Sequence, residues 1–421
     1  MTTGEESRTP GQMALNTLTA QTHLTLYPLM IRAEDDEYIV GRIETGEFVA
    51  LPEVGVQVIE LFQRGRSAGE VQRQLQAEYG AEVDIDEFVA SLVDLGFVKE
   101  LDGHQLGPTK VQKPNLSWLK VYHVHWLFSW PLKITYIIVL VSAGLTIISH
   151  PELIPHYQDF FWSSTTSVVL LVNTAMYTAV LVLHELSHLV AARSLEVGAR
   201  IGLGTRLYSL VAQTEVTGLW AVPRQQRYRV YLAGMTLDLL VASVALLLVG
   251  YAPLSVLVQD ILKALILGIF FSVLWQLQVF MRTDGYFVLM DLLHCHNLSE
   301  DSLAYLRYRI KRLRTWMIPQ IRVTDLDYPL DHLPLSEQKK VRVYAWFVLV
   351  GTAVSLSVFA IYTVPILAGL FAQAGGSLWK GIIWDQPLLL LDGLVTLLVL
   401  GAMQVAFLIV FWKSHVSRSS S

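Results

Sequence analysis

The sequence predicts a mainly α fold: a polytopic membrane bundle of about six transmembrane helices with an N-terminal α+β winged-helix domain. Two observations carry that prediction. Of 421 residues, 53% are hydrophobic and 16% charged, well below the roughly 25% charged share of soluble domains. Apolar windows near the roughly 20 residues that cross a bilayer fall at 132–149, 168–192, 230–252, 261–280, 343–370 and 388–412.

The remaining composition narrows the classes. A net charge of -5 is small for this length and speaks against a nucleic-acid partner. The single cysteine, Cys295, rules out an intramolecular disulfide framework and a four-cysteine zinc site. The first 21 residues are polar and acidic and are read as a disordered tail, not a cleaved signal peptide. Lys and Arg gather between the second and third windows and again over 282–342, while the other loops are nearly free of them. By the positive-inside rule the chain is expected to be an integral protein of the plasma membrane with both termini cytoplasmic.

Residues 22–105 are expected to fold as a cytosolic unit. "YIVGRIETGEFVAL" reads as two strand-like runs around a turn at Thr45-Gly46, followed by helical stretches over 53–63, 68–79 and 85–95. Val54, Val58, Ile59, Leu61, Phe62, Val71, Leu75, Phe88, Leu92 and Val93 give the helices a buried face, and "GFVKELDGHQL" closes the unit with a strand and turn. A hairpin, three helices and a final strand in about 80 residues make a small winged helix.

That layout, carried by "VGRIETGEFVALPEVGVQVIELF" and "VDIDEFVASLVDLGFV", resembles the RiPP recognition element, the peptide-binding domain named after its relative in pyrroloquinoline quinone biosynthesis. The resemblance implies that a leader peptide adds as an extra strand beside the hairpin; a packing or regulatory role without a peptide is the alternative. Residues 106–130 follow as a linker and interfacial helix, with Trp118, Trp126 and Trp130 at headgroup level and His123 and His125 as interfacial polar residues.

The second window contains "LVLHELSHLVAARS", residues 181–194. Two histidines and a glutamate inside an apolar span are functional by default, since an unpaired ionisable group in hydrocarbon costs a few kcal/mol. On a helix His184 and His188 share one face, so both can hold one zinc ion while Glu185 serves as general base toward the attacking water. His184 lies about nine residues from the cytoplasmic end of its span, roughly 13 Å deep. A catalytic zinc wants a third protein ligand, and Asp238, Asp284, Asp291 and Asp392 are the acids in or beside the spans.

HELSH in the second window, "LAGMTLDLL" in the third and "TDGYFVLMDLL" after the fourth are together similar to the site-2 protease family of intramembrane zinc metalloproteases, and closest to its bacterial peptide zinc metalloprotease branch. By that resemblance His184, His188 and Asp284 bind one zinc per chain and Glu185 is the base. The family's Ala-Gly-Pro-x-x-Asn stands here as Ala233-Gly234-Met235-Thr236-Leu237-Asp238, which leaves Asp238 open between supporting a ligand and being one. Asp291, seven residues beyond Asp284 on the same helical face, is a supporting candidate. Asp284 stands at the shallow end of its window, so the helix is expected to kink at 282–285 or be displaced inward. Asp392 lies toward the far side, and Cys295 with His294 and His296 is read as a polar helix end.

The segment 199–227 is glycine-spaced with strand-like alternation; in the family the equivalent β-structure pairs with unwound substrate. Within the cytosolic stretch 297–342, residues 301–318 set Leu303, Leu306, Ile310, Leu313 and Met317 in one stripe beside Arg307, Lys311, Arg312 and Arg314, a helix suited to an anionic leaflet. Residues 131–296 form the expected catalytic core and 343–421 a C-terminal pair of spans and tail. The reading is a zinc metalloendopeptidase acting on a membrane protein or a ribosomally made peptide, with the bilayer as its other partner. The alternative is a zinc-binding accessory to peptide maturation or export that does no hydrolysis. A transporter is disfavoured, because no pair of helix-broken halves is visible.

Overall fold

The computed structural model describes residues 18–80, 83–106, 114–206, 209–295, 297–317, 328–331 and 333–419. Most of the expected tail, 1–17, and His296 lie outside them. Contacts divide the chain into two compact units, one of Met1–Val121, Ala192–Arg200 and Glu215–Arg227, the other of Tyr122–Ala191, Ile201–Thr214 and Tyr228–Ser421.

The first unit is α+β. Its strands are β1 (Leu24–Leu26), β2 (Met30–Glu34), β3 (Glu37–Arg42) and β4 (Glu47–Leu51), then helices α1 (Glu53–Gln63), α2 (Ala68–Tyr79) and α3 (Ile85–Asp94), then β5 (Val98–Leu101) and β6 (His104–Gln105). β2, β3 and β4 form an antiparallel meander, and β1, β5 and β6 a second sheet in that order with β5 central. The expected hairpin is β3–β4, with Gly46 N–H donating to Arg42 O at 2.9 Å. β1 and β2 are additional strands. β2 turns into β3 through Asp35 and Asp36, and Asp35 takes a left-handed φ of 54°.

The helices begin where local chemistry starts them. Glu70 accepts from Ser67 N–H at 3.2 Å and Asp84 from Glu87 N–H at 3.0 Å, each relieving an orphan donor of a first turn. Val58, Ile59, Phe62, Val71, Leu75, Val89, Leu92 and Phe97 form the core, with Val54 and Phe88 packed partly against it. In the same unit the fully buried Arg227 guanidinium stacks on Trp220 at 4.4 Å, donates to Val222 O at 2.8 Å and pairs with Glu34. Arg224 reaches Glu34 at 3.1 Å and Asp35 at 2.8 Å. A buried charge persists only when paired in this way.

The second unit is helical. After the single turn α4 (Val121–Val124) come α5 (Trp130–Ser149) and α6 (Thr166–Arg193). The strands β7 (Gly198–Arg206) and β8 (Ser209–Thr217) pair as a hairpin through which the division of the chain runs. Then follow α7 (Arg224–Tyr231), α8 (Ala233–Tyr251), α9 (Val256–Gln276), α10 (Asp284–Leu292), α11 (Leu298–Met317), α12 (Leu335–Val358), α13 (Val364–Ile383) and α14 (Pro387–Ser419). Among the described residues six helices are long and apolar enough to cross a membrane: Trp130–Ser149, Thr166–Arg193, Ala233–Tyr251, Val256–Gln276, Leu335–Ile361 and Pro387–Trp412.

The number of spans matches the expectation; the boundaries of the fourth and fifth move. The fifth begins at Leu335, not 343, because its first turns carry Lys339, Lys340 and Arg342, which a hydropathy window excludes. It ends near Ile361 in a π-turn, Phe359–Thr363, beyond which α13 is a separate helix. The fourth stops at Gln276 instead of 280. Trp118, Trp126 and Trp130 are exposed, as expected of an interfacial segment. On α11, Leu303, Ile310 and Leu313 point outward while Leu298 and Ser302 are buried, Ser302 Oγ donating to Val341 O of α12 at 3.1 Å. Cys295 is buried, which pushes its thiol up to about 12; it is an inert filler.

Asp392 of α14 accepts from Ser167 N–H in the first turn of α6 at 2.7 Å. Asp392→Ala should therefore lower stability by about 1 kcal/mol, read as a lower unfolding midpoint in detergent, and Asp392→Asn should restore most of it.

Candidate metal centre

His184 and His188 sit one turn apart on α6, both buried. Their rings approach at 5.0 Å with an interplanar angle of 65°, and their Nε2 atoms lie 3.2 Å apart. Asp284 Oδ2 lies 3.1 Å from each of those nitrogens. Among the described residues this trio is the group of His, Cys, Asp or Glu side chains whose donor atoms converge, all within 4.8 Å of one another.

The remaining ring nitrogens fix the protons. His188 Nδ1 meets Val230 O at 2.7 Å; a carbonyl only accepts, so Nδ1 carries the hydrogen and Nε2 of the neutral ring is left with its lone pair. His184 Nδ1 meets Asp238 Oδ2 at 2.9 Å, and a carboxylate there selects the same tautomer. Ser272 Oγ of α9 donates to the same Asp238 oxygen at 3.1 Å. Three lone pairs thus point at one another, an arrangement that a shared cation relieves. Ligands about 2.0–2.1 Å from a tetrahedral ion lie roughly 3.3 Å apart, close to the three edges seen here.

Asp284 reaches the histidines through a break in the chain. α9 ends at Gln276, a short 3-10 turn covers Val279–Met281, and Arg282 takes a left-handed φ of 56° before α10 starts at Asp284. Thr283 Oγ1 donates to Gln276 O at 2.8 Å, and Asp284 N–H to Gln276 Oε1 at 3.2 Å. Gly285 lies so close to Gln276 O that a Cβ there would clash. The expected kink is therefore a longer interruption, seven residues from 277 to 283.

Two further residues shape the site. Gly234, in the first turn of α8, faces both rings: a Cβ on it would fall on Nε2 and Cε1 of His184 and on Nε2 of His188. Thr214 of β8 has its hydroxyl 2.6 Å from Glu185 Oε2 and 3.1 Å from Glu185 O, which holds the buried glutamate beside, not within, the donor triangle. The sequence reading singled out neither. Gly234 was visible there only as part of "LAGMTLDLL", and no pattern in 199–227 distinguishes Thr214 from its neighbours.

Each remaining site residue has a place. Asp238 stands behind His184 and is not among the converging donors. Asp291 is buried on α10 and likewise outside the trio. Asp392 is engaged at the opposite end of α6, seventeen residues or about 26 Å from His184. His123 and His125 are exposed.

The family model for Coenzyme PQQ synthesis protein D (PqqD) matches residues 37–98, from β3 to the start of β5. The membrane part lies outside that match. No curated protein and no solved structure matches the chain.

Gly234→Ala should push the imidazoles apart and lower metal content measured by elemental analysis of purified protein. Asp238→Asn should weaken metal retention against a chelator by about 10–100-fold.

Proposed function

We propose that this protein is a membrane-embedded zinc endopeptidase of peptide maturation, hydrolysing a peptide bond of a membrane-associated or ribosomally made substrate. The observation that supports this most is the triangle of His184 Nε2, His188 Nε2 and Asp284 Oδ2 with Glu185 beside it. Two imidazoles and one carboxylate suit zinc and leave a position open for reaction. Zinc held there supplies Lewis acidity toward a carbonyl oxygen and toward water.

The chain's own residues do the rest. Glu185 takes a proton from the attacking water and returns it to the leaving amine, and Thr214 keeps its carboxylate aimed. Val230 O and Asp238 keep both ring lone pairs on the reaction side. A helical peptide bond is hidden in its own hydrogen bonds, and an edge of the β7–β8 hairpin offers it an extended register instead. The basic residues between the second and third spans favour a cytosolic position for this face.

The PqqD-type segment fits the same reading. A domain that captures the leader of a precursor peptide, as an added strand on its sheet, would deliver the remainder of that peptide to the membrane site. No observation favours the non-hydrolytic accessory over this reading, and Glu185 separates the two.

Purified protein should carry one zinc per chain, lost in His184→Ala and Asp284→Ala and kept in Asp392→Ala. Glu185→Gln should keep the zinc while slowing cleavage of a quenched-fluorescent library of apolar peptides by about 10²–10⁴-fold. Zinc retained in Asp284→Ala, or full cleavage by Glu185→Gln, would overturn the proposal.

A further inference from the structure

Along α12 the second unit carries two apolar grooves, of about 690 and 530 Å³, within the roughly 300–1,000 Å³ range of small-molecule sites. Both are lined by Val279 and Phe347, so they adjoin and together make a furrow along α12. One wall is α12; the other is the interruption that carries the chain from α9 to Asp284, together with α10. The furrow begins at Lys339 and Lys340 and ends at Val354 and Ser355. Fifteen helical residues from Lys339 to Val354 make about 22 Å. One leaflet of hydrocarbon is about 15 Å, half of a roughly 30 Å core, so the furrow covers a leaflet and its headgroup layer.

Its polarity is one-ended. Trp346, Phe347, Val350 and Val354 are exposed apolar side chains in a helix that crosses the membrane, and charge enters the lining only at the lysine pair. Lys339 is exposed. Lys340 Nζ donates to Leu293 O at 2.7 Å, and an ammonium has two more hydrogens to give. Cations at the rim of an apolar cleft between membrane helices are what an anionic headgroup recognises. A transmembrane helix would fill the apolar part and leave the lysines unanswered.

We propose that this furrow is a binding site for one phospholipid with an anionic headgroup, its phosphate at Lys339 and Lys340 and an acyl chain along Phe347, Val350 and Val354. The site stands whether or not the metal centre hydrolyses peptides. Its inner wall is residues 277–280, and Tyr344 OH already donates to Val279 O at 2.8 Å. The acyl chain therefore braces the segment that presents Asp284.

The test is native mass spectrometry of full-length protein released from bilayers of equal phosphatidylglycerol and phosphatidylcholine. One phosphatidylglycerol should be retained in preference. Retention should fall roughly ten- to thirtyfold in a Lys339→Gln/Lys340→Gln double variant and persist when both become Arg. Val354→Trp, which fills the apolar end and leaves the charges in place, should expel the same lipid. Equal retention of the two lipids, or phosphatidylglycerol unaffected in the glutamine variant or in Val354→Trp, would overturn the proposal. Displacement of lipid by an uncharged leucine-alanine helix of about 20 residues, independent of the lysines, would assign the furrow to a peptide instead.

Discussion

Three electron pairs aimed at one point are the constraint around which the membrane unit is arranged. Two imidazole nitrogens and a carboxylate oxygen stand 3.1–3.2 Å from one another, brought together from α6 and α10. The rings could turn away, and the surrounding chain prevents it. Val230 O holds one imidazole by its far nitrogen, Asp238 the other, and the bare backbone of Gly234 leaves only the space between their near nitrogens. The arrangement is thus set by α6, α8 and the end of α7.

The carboxylate arrives by a different route. A continuous fourth helix would carry Asp284 past the histidines, so the chain stops at Gln276 and restarts at Asp284. The intervening turn is secured by the hydroxyl of Thr283, the amide of Gln276 and a left-handed Arg282. Non-helical backbone at such depth is tolerated only where protein covers it. Here α12 packs alongside it, with Tyr344 donating to the carbonyl of Val279.

Much of this was legible in the sequence, for identifiable reasons. Period and hydropathy revealed the six spans and the three N-terminal helices, since burial repeats every few residues in each. The i, i+4 spacing put His184 and His188 on one face. The edges were harder to read. The fifth span starts among lysines that a hydropathy window penalises, and β1 and β2 are short strands whose partners make them strands. Asp284 was reached through a resemblance, because a carboxylate one hundred positions from His184 leaves no local trace. Thr214 and Gly234 act through three-dimensional proximity alone, one as a hydroxyl and the other as a missing side chain.

The pairing of Glu34 with Arg227 carries a consequence for how the molecule is made. The two lie 193 positions apart, and at roughly 5–20 residues per second a ribosome needs on the order of 10–40 s to get from one to the other. During that interval Glu34 has only Arg32 of its own strand as a cationic partner, while α5 and α6 are being made. The small α+β unit is therefore finished late, by a segment synthesised after the second span. Its last segments follow two helices of membrane-crossing length, although most of its residues leave the ribosome long before.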